Sequence, residues 1–247
     1  MLRAYFDDSG SDRDPRTPFS LIGGCIGSLA AWSRLERDWQ AVLSEFGVAW
    51  LHMKDFAHST GEFAGWDADE PKRQAFLGAL VAVLLRDASA FIGCAVSNSA
   101  FRQLSDAHQH GLRHPYFLAF QVCMRDAAIQ AGHDEDEVEL IFARQPGKTG
   151  LAGEMFDMVL EGIEPQFAAR IRNGLSFDEP RYMVPLQAVD LVAYELAHYV
   201  GTLGPGPAPR PKRWAMRQIL DHDPTRTFFH IYLTRESIER GLPHDGG

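Results

Sequence analysis

The chain has 247 residues, 45 % of them hydrophobic, and a formal net charge of −9. That length suits one large domain with a sizeable core. No run approaches the roughly 18 apolar residues a spanning helix needs: the longest, Phe76 to Leu85, is interrupted by Gly78 and closed by Arg86 and Asp87. The acidic balance argues against coating long duplex nucleic acid by charge alone, because phosphate neutralisation supplies most of such affinity. A nucleic-acid partner would need a local basic patch or bound cations.

The opening MLRAYFDDSG meets two aspartates before any hydrophobic region forms, so no signal peptide is expected. Leu2 to Phe6 predicts a strand, ending in the turn residues Asp7, Asp8, Ser9 and Gly10. Phe19 to Ile26 predicts a second strand, where Gly23 and Gly24 permit a close backbone approach or a bulge. A polar loop with two prolines joins the pair, which reads as a hairpin. Leu35, Trp39, Val42, Leu43 and Phe46 recur at helical spacing, predicting a helix over Ala31 to Phe46. Val48 to Met53 predicts another strand.

Pro71 to Asp87 predicts a helix with proline in its first turn, followed by a strand over Phe91 to Val96. Pro115 to Ala131 predicts a helix closed by Gly132, and Glu137 to Phe142 a strand. A helix over Gly153 to Gly162, a short strand over Asn173 to Phe177 and a strongly patterned helix over Pro185 to Val200 complete the alternation. Interleaved strands and helices favour an α/β sheet domain over a bundle or a sandwich. The expected division is a domain over residues 1–202, a Pro/Gly-rich loop over 203–213 and a C-terminal extension over 214–247. Cys25, Cys94 and Cys123 lie among apolar neighbours and read as core residues in a reducing compartment, hence a cytoplasmic protein without a membrane partner.

Two constellations carry chemistry. Asp7 and Asp8 stand at a strand end, where oxygen ligands can meet a hard divalent cation; the same residues also suit an ordinary turn. On the late helix, Gln187, Asp190 and Tyr194 share one face among Leu, Val and Ala. An aspartate there is costly to bury unless it is paired or ligating, although a solvated stripe would explain it too. His52 and Asp55 follow an apolar run and are ambiguous alone. His108, His110 and His114 have a metal-like spacing but no partner strand. Arg210, Lys212, Arg213 and Arg217 form the dense basic cluster, a phosphate contact or merely a solvated loop.

In order, YFDDSGS (Tyr5 to Ser11), FSLIGG (Phe19 to Gly24), the helix bearing Trp32 and Trp39, LHMKDF (Leu51 to Phe56), EFAGW (Glu62 to Trp66), VELIFARQPG (Val138 to Gly147) and SFDEPRYMVPLQAVDLVAYE (Ser176 to Glu195) resemble the bacterial family called domain of unknown function 3800. The resemblance runs from about residue 3 to residue 200, and its specific parts are the opening DDSG and the closing PLQAVDLVAYE. It implies a ribonuclease H-like fold: a central mixed sheet flanked by helices, with one metal-binding carboxylate on the first strand and another on a late helix. Asp7 and Asp190 match those places, with Asp8 beside the first and Mg²⁺ or Mn²⁺ as the implied ion. His52 belongs to a motif lining the same site, as proton carrier or phosphate contact, and Gln187 to the late-helix motif, orienting Asp190 or the substrate. Where the family often has an acidic residue after the strand, this chain has Ala143. The implied function is a metal-dependent phosphodiesterase acting on nucleic acid, impaired where Ala143 removes a ligand. The alternative is a non-catalytic module that binds nucleic acid or a partner protein.

Overall fold

The structure, a computed structural model, describes residues 1–9, 18–112, 114–144, 149–203 and 211–241. In chain order the elements are β1 (Leu2–Ser9), β2 (Phe19–Ser28), α1 (Leu29–Phe46), α2 (Met53–His58), α3 (Glu70–Asp87), β3 (Ala90–Ser97), α4 (Asn98–Phe101) and α5 (Asp106–Leu112). They continue with α6 (Pro115–His133), β4 (Val138–Ala143), α7 (Thr149–Glu161), α8 (Pro165–Ala168), β5 (Ile171–Asp178), α9 (Val184–Gly201), α10 (Trp214–His222), β6 (Thr227–Tyr232) and α11 (Arg235–Gly241).

The strands form one mixed sheet in the order β5-β4-β1-β2-β3-β6. β1 and β2 pair antiparallel, as do β2 and β3; β4 joins β1, β5 joins β4 and β6 joins β3 in parallel. The expected antiparallel neighbourhood of the first two strands is present. Alternation along each strand divides the core into two layers. Leu2, Ala4, Phe6, Ile22 and Ile92 pack with α6 residues such as Phe120 and Met124. Tyr5, Cys25 and Phe91 pack on the opposite face with Trp39 of α1, Leu80 of α3 and Val189 of α9. The three cysteines are buried and free. Among the described residues no helix is long and apolar enough to cross a membrane.

Local signals set the helix starts. Ser28 accepts the Ala31 N–H at 3.2 Å to cap α1, and Asp69 accepts the Lys72 N–H at 3.0 Å to cap α3. α6 runs through Gly132 rather than stopping before it, and ends at His133. The expected strand at Val48 to Met53 is not a strand. Val48 to His52 are a loop entering α2, whose first residue is Met53, and the N–H groups of Leu51 and Met53 donate to side chains of α9 instead of a ladder. The segment after residue 213 adds α10, which contributes Ala215 and Ile219 to the α3–α9 layer, and a sixth strand to the same sheet.

α9 crosses β1 and β2 at very short range, and glycine makes that possible. A Cβ on Gly23 would stand 2.8 Å from Ala193 Cα, a distance real Cβ atoms do not reach. This close approach sets the geometry of the end of β1.

Candidate functional site

The register of β1 decides where its two aspartates point. Residues directly opposite each other on antiparallel strands project to the same face. Asp7 faces Gly23, whose missing Cβ looks onto Ala193 of α9. Asp8 faces Ile22, which packs in the layer with α6. Asp7 therefore points to the α9 side and Asp8 to the α6 side. Tyr116, on α6, reports the same division: burial pushes its hydroxyl well above the ordinary tyrosine range, and Asp8 adds more to that shift than Asp7 does.

Asp190 lies one turn before Ala193, so α9 carries it to the sheet face that Asp7 occupies. Burial raises its carboxyl to about 6, with a smaller contribution from Asp55, while the Met53 N–H and nearby His52 favour the charged form. One carboxylate oxygen accepts the Met53 N–H at 2.7 Å. Asp7 is 8 % exposed, and its Oδ1 accepts the Asp8 N–H at 2.8 Å.

The loop before α2 is clamped from α9. Gln187 accepts the Leu51 N–H at 3.0 Å through Oε1 and donates to the Pro180 carbonyl at 3.2 Å through Nε2. With Leu51 and Met53 both held, His52 between them has a defined place. Its ring lies parallel to that of Trp50, with centroids 5.5 Å apart. His52 Nδ1 lies 2.9 Å from Asp55 Oδ2, and Thr60 donates to the other Asp55 oxygen at 3.0 Å. The resulting Thr60–Asp55–His52 chain holds the ring by Nδ1 and leaves Nε2 as its outward nitrogen. Histidine and those hydrogen bonds hold the Asp55 carboxyl below its usual range. In the sequence, this pair shows as a histidine and an aspartate three residues apart within the LHMKDF segment.

Position 143 is beside Asp7. Phe6 pairs with Phe142, which puts Ala143 next to Asp7 on the adjacent strand. Ala143 is buried in the α9 layer with Tyr5 and Ile141. Its partner on β5 is Asp178, two strands from Asp7 and thus roughly 10 Å away.

The structure brings Asp7, Asp190, His52 and Gln187 to one end of the sheet and turns Asp8 to the other face. Lys212 Nζ lies 5.3 Å from the Tyr199 ring, and Arg213 lies 5.4 Å from the Tyr194 ring, one turn along α9 from Asp190. Arg213 is also ion-paired to Glu195. Arg210 lies outside the described residues. His114 caps α6, its Nδ1 accepting the Tyr116 N–H at 3.1 Å.

The donor chemistry fits one hard divalent cation between two carboxylates. Among the described residues no group of three or more His, Cys, Asp or Glu side chains is placed to hold a metal ion.

Three antiparallel strands, β3-β2-β1, continued by parallel β4 and β5 with helices on both faces, make this an α/β fold with a central mixed sheet flanked by helices. No protein-family model and no curated protein matches the chain. Among solved structures, the crystal structure of the ribonuclease H2 from Pyrococcus horikoshii OT3 is similar over 90 % of this chain and 86 % of that one, with 12 % identity and a TM-score of 0.36.

Proposed function

We propose that the chain belongs with the domain of unknown function 3800 family and is a metal-dependent phosphodiesterase acting on nucleic acid. The observation that carries this reading is the shared face of Asp7 and Asp190, from a strand end and a helix far apart in sequence. Asp7 and Asp190 would hold a Mg²⁺ or Mn²⁺ ion, which supplies charge neutralisation and Lewis acidity when bound. His52, held at Nδ1 by Asp55, presents Nε2 to accept or return a proton at the edge of the site. Gln187 acts by position: it fixes Leu51, and through it His52. Arg213, at the start of α10 and beside the Tyr194 ring, supports a role in meeting phosphate despite the acidic whole.

The test is cleavage of labelled single- and double-stranded DNA and RNA by the purified protein in Mn²⁺ and in chelator. Cleavage in Mn²⁺ that disappears in Asp7→Asn and Asp190→Asn is the expected result. Equal cleavage by parent and variants, or none above the chelator control, overturns it.

Ala143 favours a second reading, a non-catalytic module of the same fold. A two-ion site needs enough carboxylates to hold both ions about 3.5–4 Å apart. In that reading the oligonucleotides bind without being cut.

A further inference from the structure

On α9, a second acidic residue lies outside the site described above. Glu195 is fully buried, 0 % exposed, and it lines a cavity of about 580 Å³ between α3, α9 and α10. Arg213 Nε stands 3.0 Å from Glu195 Oε1 as an ion pair. Arg213 favours the charged form of Glu195, yet neither carboxylate oxygen has a well-aligned hydrogen-bond donor among the described residues. Buried carboxylates ordinarily have their oxygens satisfied by donors, because an unmet acceptor in a low-dielectric interior is costly.

We propose that this cavity binds a small organic cation, an ammonium or guanidinium group carried on an apolar body. Its charged lining consists of Glu70, Glu195 and Arg213, two carboxylates against one guanidinium. Arg73 approaches Glu70 at 3.6 Å from its own helix. Arg213 offsets charge at Glu195 but leaves its oxygens without N–H donors, and these are what an ammonium or guanidinium supplies. The remaining wall is apolar: Leu77, Ala215 and the Trp214 ring, which is 44 % exposed and free to cover a cation or an alkyl chain. Gly78 also lines it, and a Cβ there would meet nothing nearer than the Trp214 ring at 4.0 Å, so the floor stays open. The volume lies within the range of small-molecule sites, roughly 300–1,000 Å³. Arg213 is shared with the proposed phosphate contact, but Glu195, Leu77, Trp214 and Ala215 take no part in that chemistry, so binding here is read without any cleavage assay.

The test titrates the full chain with n-butylguanidine, n-butylamine, 1-butanol and butyrate, reading saturable binding by calorimetry and by tryptophan fluorescence. Both cations are expected to bind, the alcohol and the anion not. Glu195→Gln keeps the volume and removes the charge, and should weaken cation binding roughly tenfold to a hundredfold. Should glutamine at 195 disturb folding, Trp214→Ala, at an exposed position, carries the test through loss of affinity and of the fluorescence change. Equal binding of butanol, no saturable binding of either cation, or unchanged affinity in a folded Glu195→Gln or in Trp214→Ala overturns the proposal.

Discussion

Asp190 and Glu195 sit five residues apart on one helix whose remaining surface is mostly Leu, Val and Ala, yet they are held in different ways. Asp190 is satisfied by a backbone N–H from Met53, a residue 137 positions away in sequence. Among the described residues Glu195 has the Arg213 guanidinium as its partner, without a well-aligned donor to either oxygen. Burial raises both carboxyls above their ordinary values. A half-buried carboxylate that captures a backbone donor organises the loop that supplies it. One that is merely charge-balanced leaves demand for a donor from elsewhere. The first arrangement builds the Asp7 end of the sheet and the second leaves a cavity.

The strongest way to break this comparison is to move α9 itself. Gly23→Val would drive a side chain into the Ala193 backbone and should cost about 3 kcal/mol, read as a lower urea midpoint. It should also abolish any Mn²⁺-dependent stabilisation, because Asp190 would leave the face of Asp7. An unchanged midpoint would mean that α9 does not press on β2.

Next in size is a pH effect. The Asp190 carboxyl is raised from 3.8 to about 6, so the native state holds its proton more tightly than the unfolded chain does. The stability this contributes is complete below pH 4 and is lost as pH rises through about 6, on the order of 2–3 kcal/mol. Asp55 and Glu139 shift the opposite way and give the opposite slope. The informative quantity is therefore the difference between parent and Asp190→Asn in chelator. Stability of the parent should fall relative to the variant between pH 4 and 6; parallel curves would refute the assignment.

Ala143→Asp is expected to act more gently. A third carboxylate beside Asp7 should lower stability by about 1 kcal/mol in chelator through like-charge repulsion. Mn²⁺ should restore it, with a larger rise in melting temperature than the parent shows and stronger cleavage. No change in either would place residue 143 outside the ion's reach. Asp55→Asn should have the smallest effect on stability, about 0.5 kcal/mol, since its bond to His52 is partly exposed. Its effect should fall on cleavage, because the His52 ring loses the partner that fixes Nδ1. Cleavage at the parental rate would remove His52 from the chemistry.

Much of this was legible because it depends on local pattern. The β1–β2 hairpin, α1, α3 and α9 follow from apolar periodicity, caps and proline placement, each within a few residues of where the sequence puts them. Asp7 and Asp190 stood out as carboxylates in apolar company. The stretch Val48 to Met53 was misleading for a physical reason: it is apolar like a strand, but its donors are claimed by Gln187 and Asp190 from the far end of the chain. Nothing local announces that capture.

The sequence by itself determined the alternation of strands and helices, the burial of the cysteines and the apolar helix that carries Asp190. Only the tertiary structure decided which of two adjacent aspartates shares the sheet face of α9. A strand turns its side chains over at every residue, so one step of register separates the α9 face from the α6 face. The pairing of Asp7 with Gly23, and the contact that Gly23 allows with Ala193, settle that step.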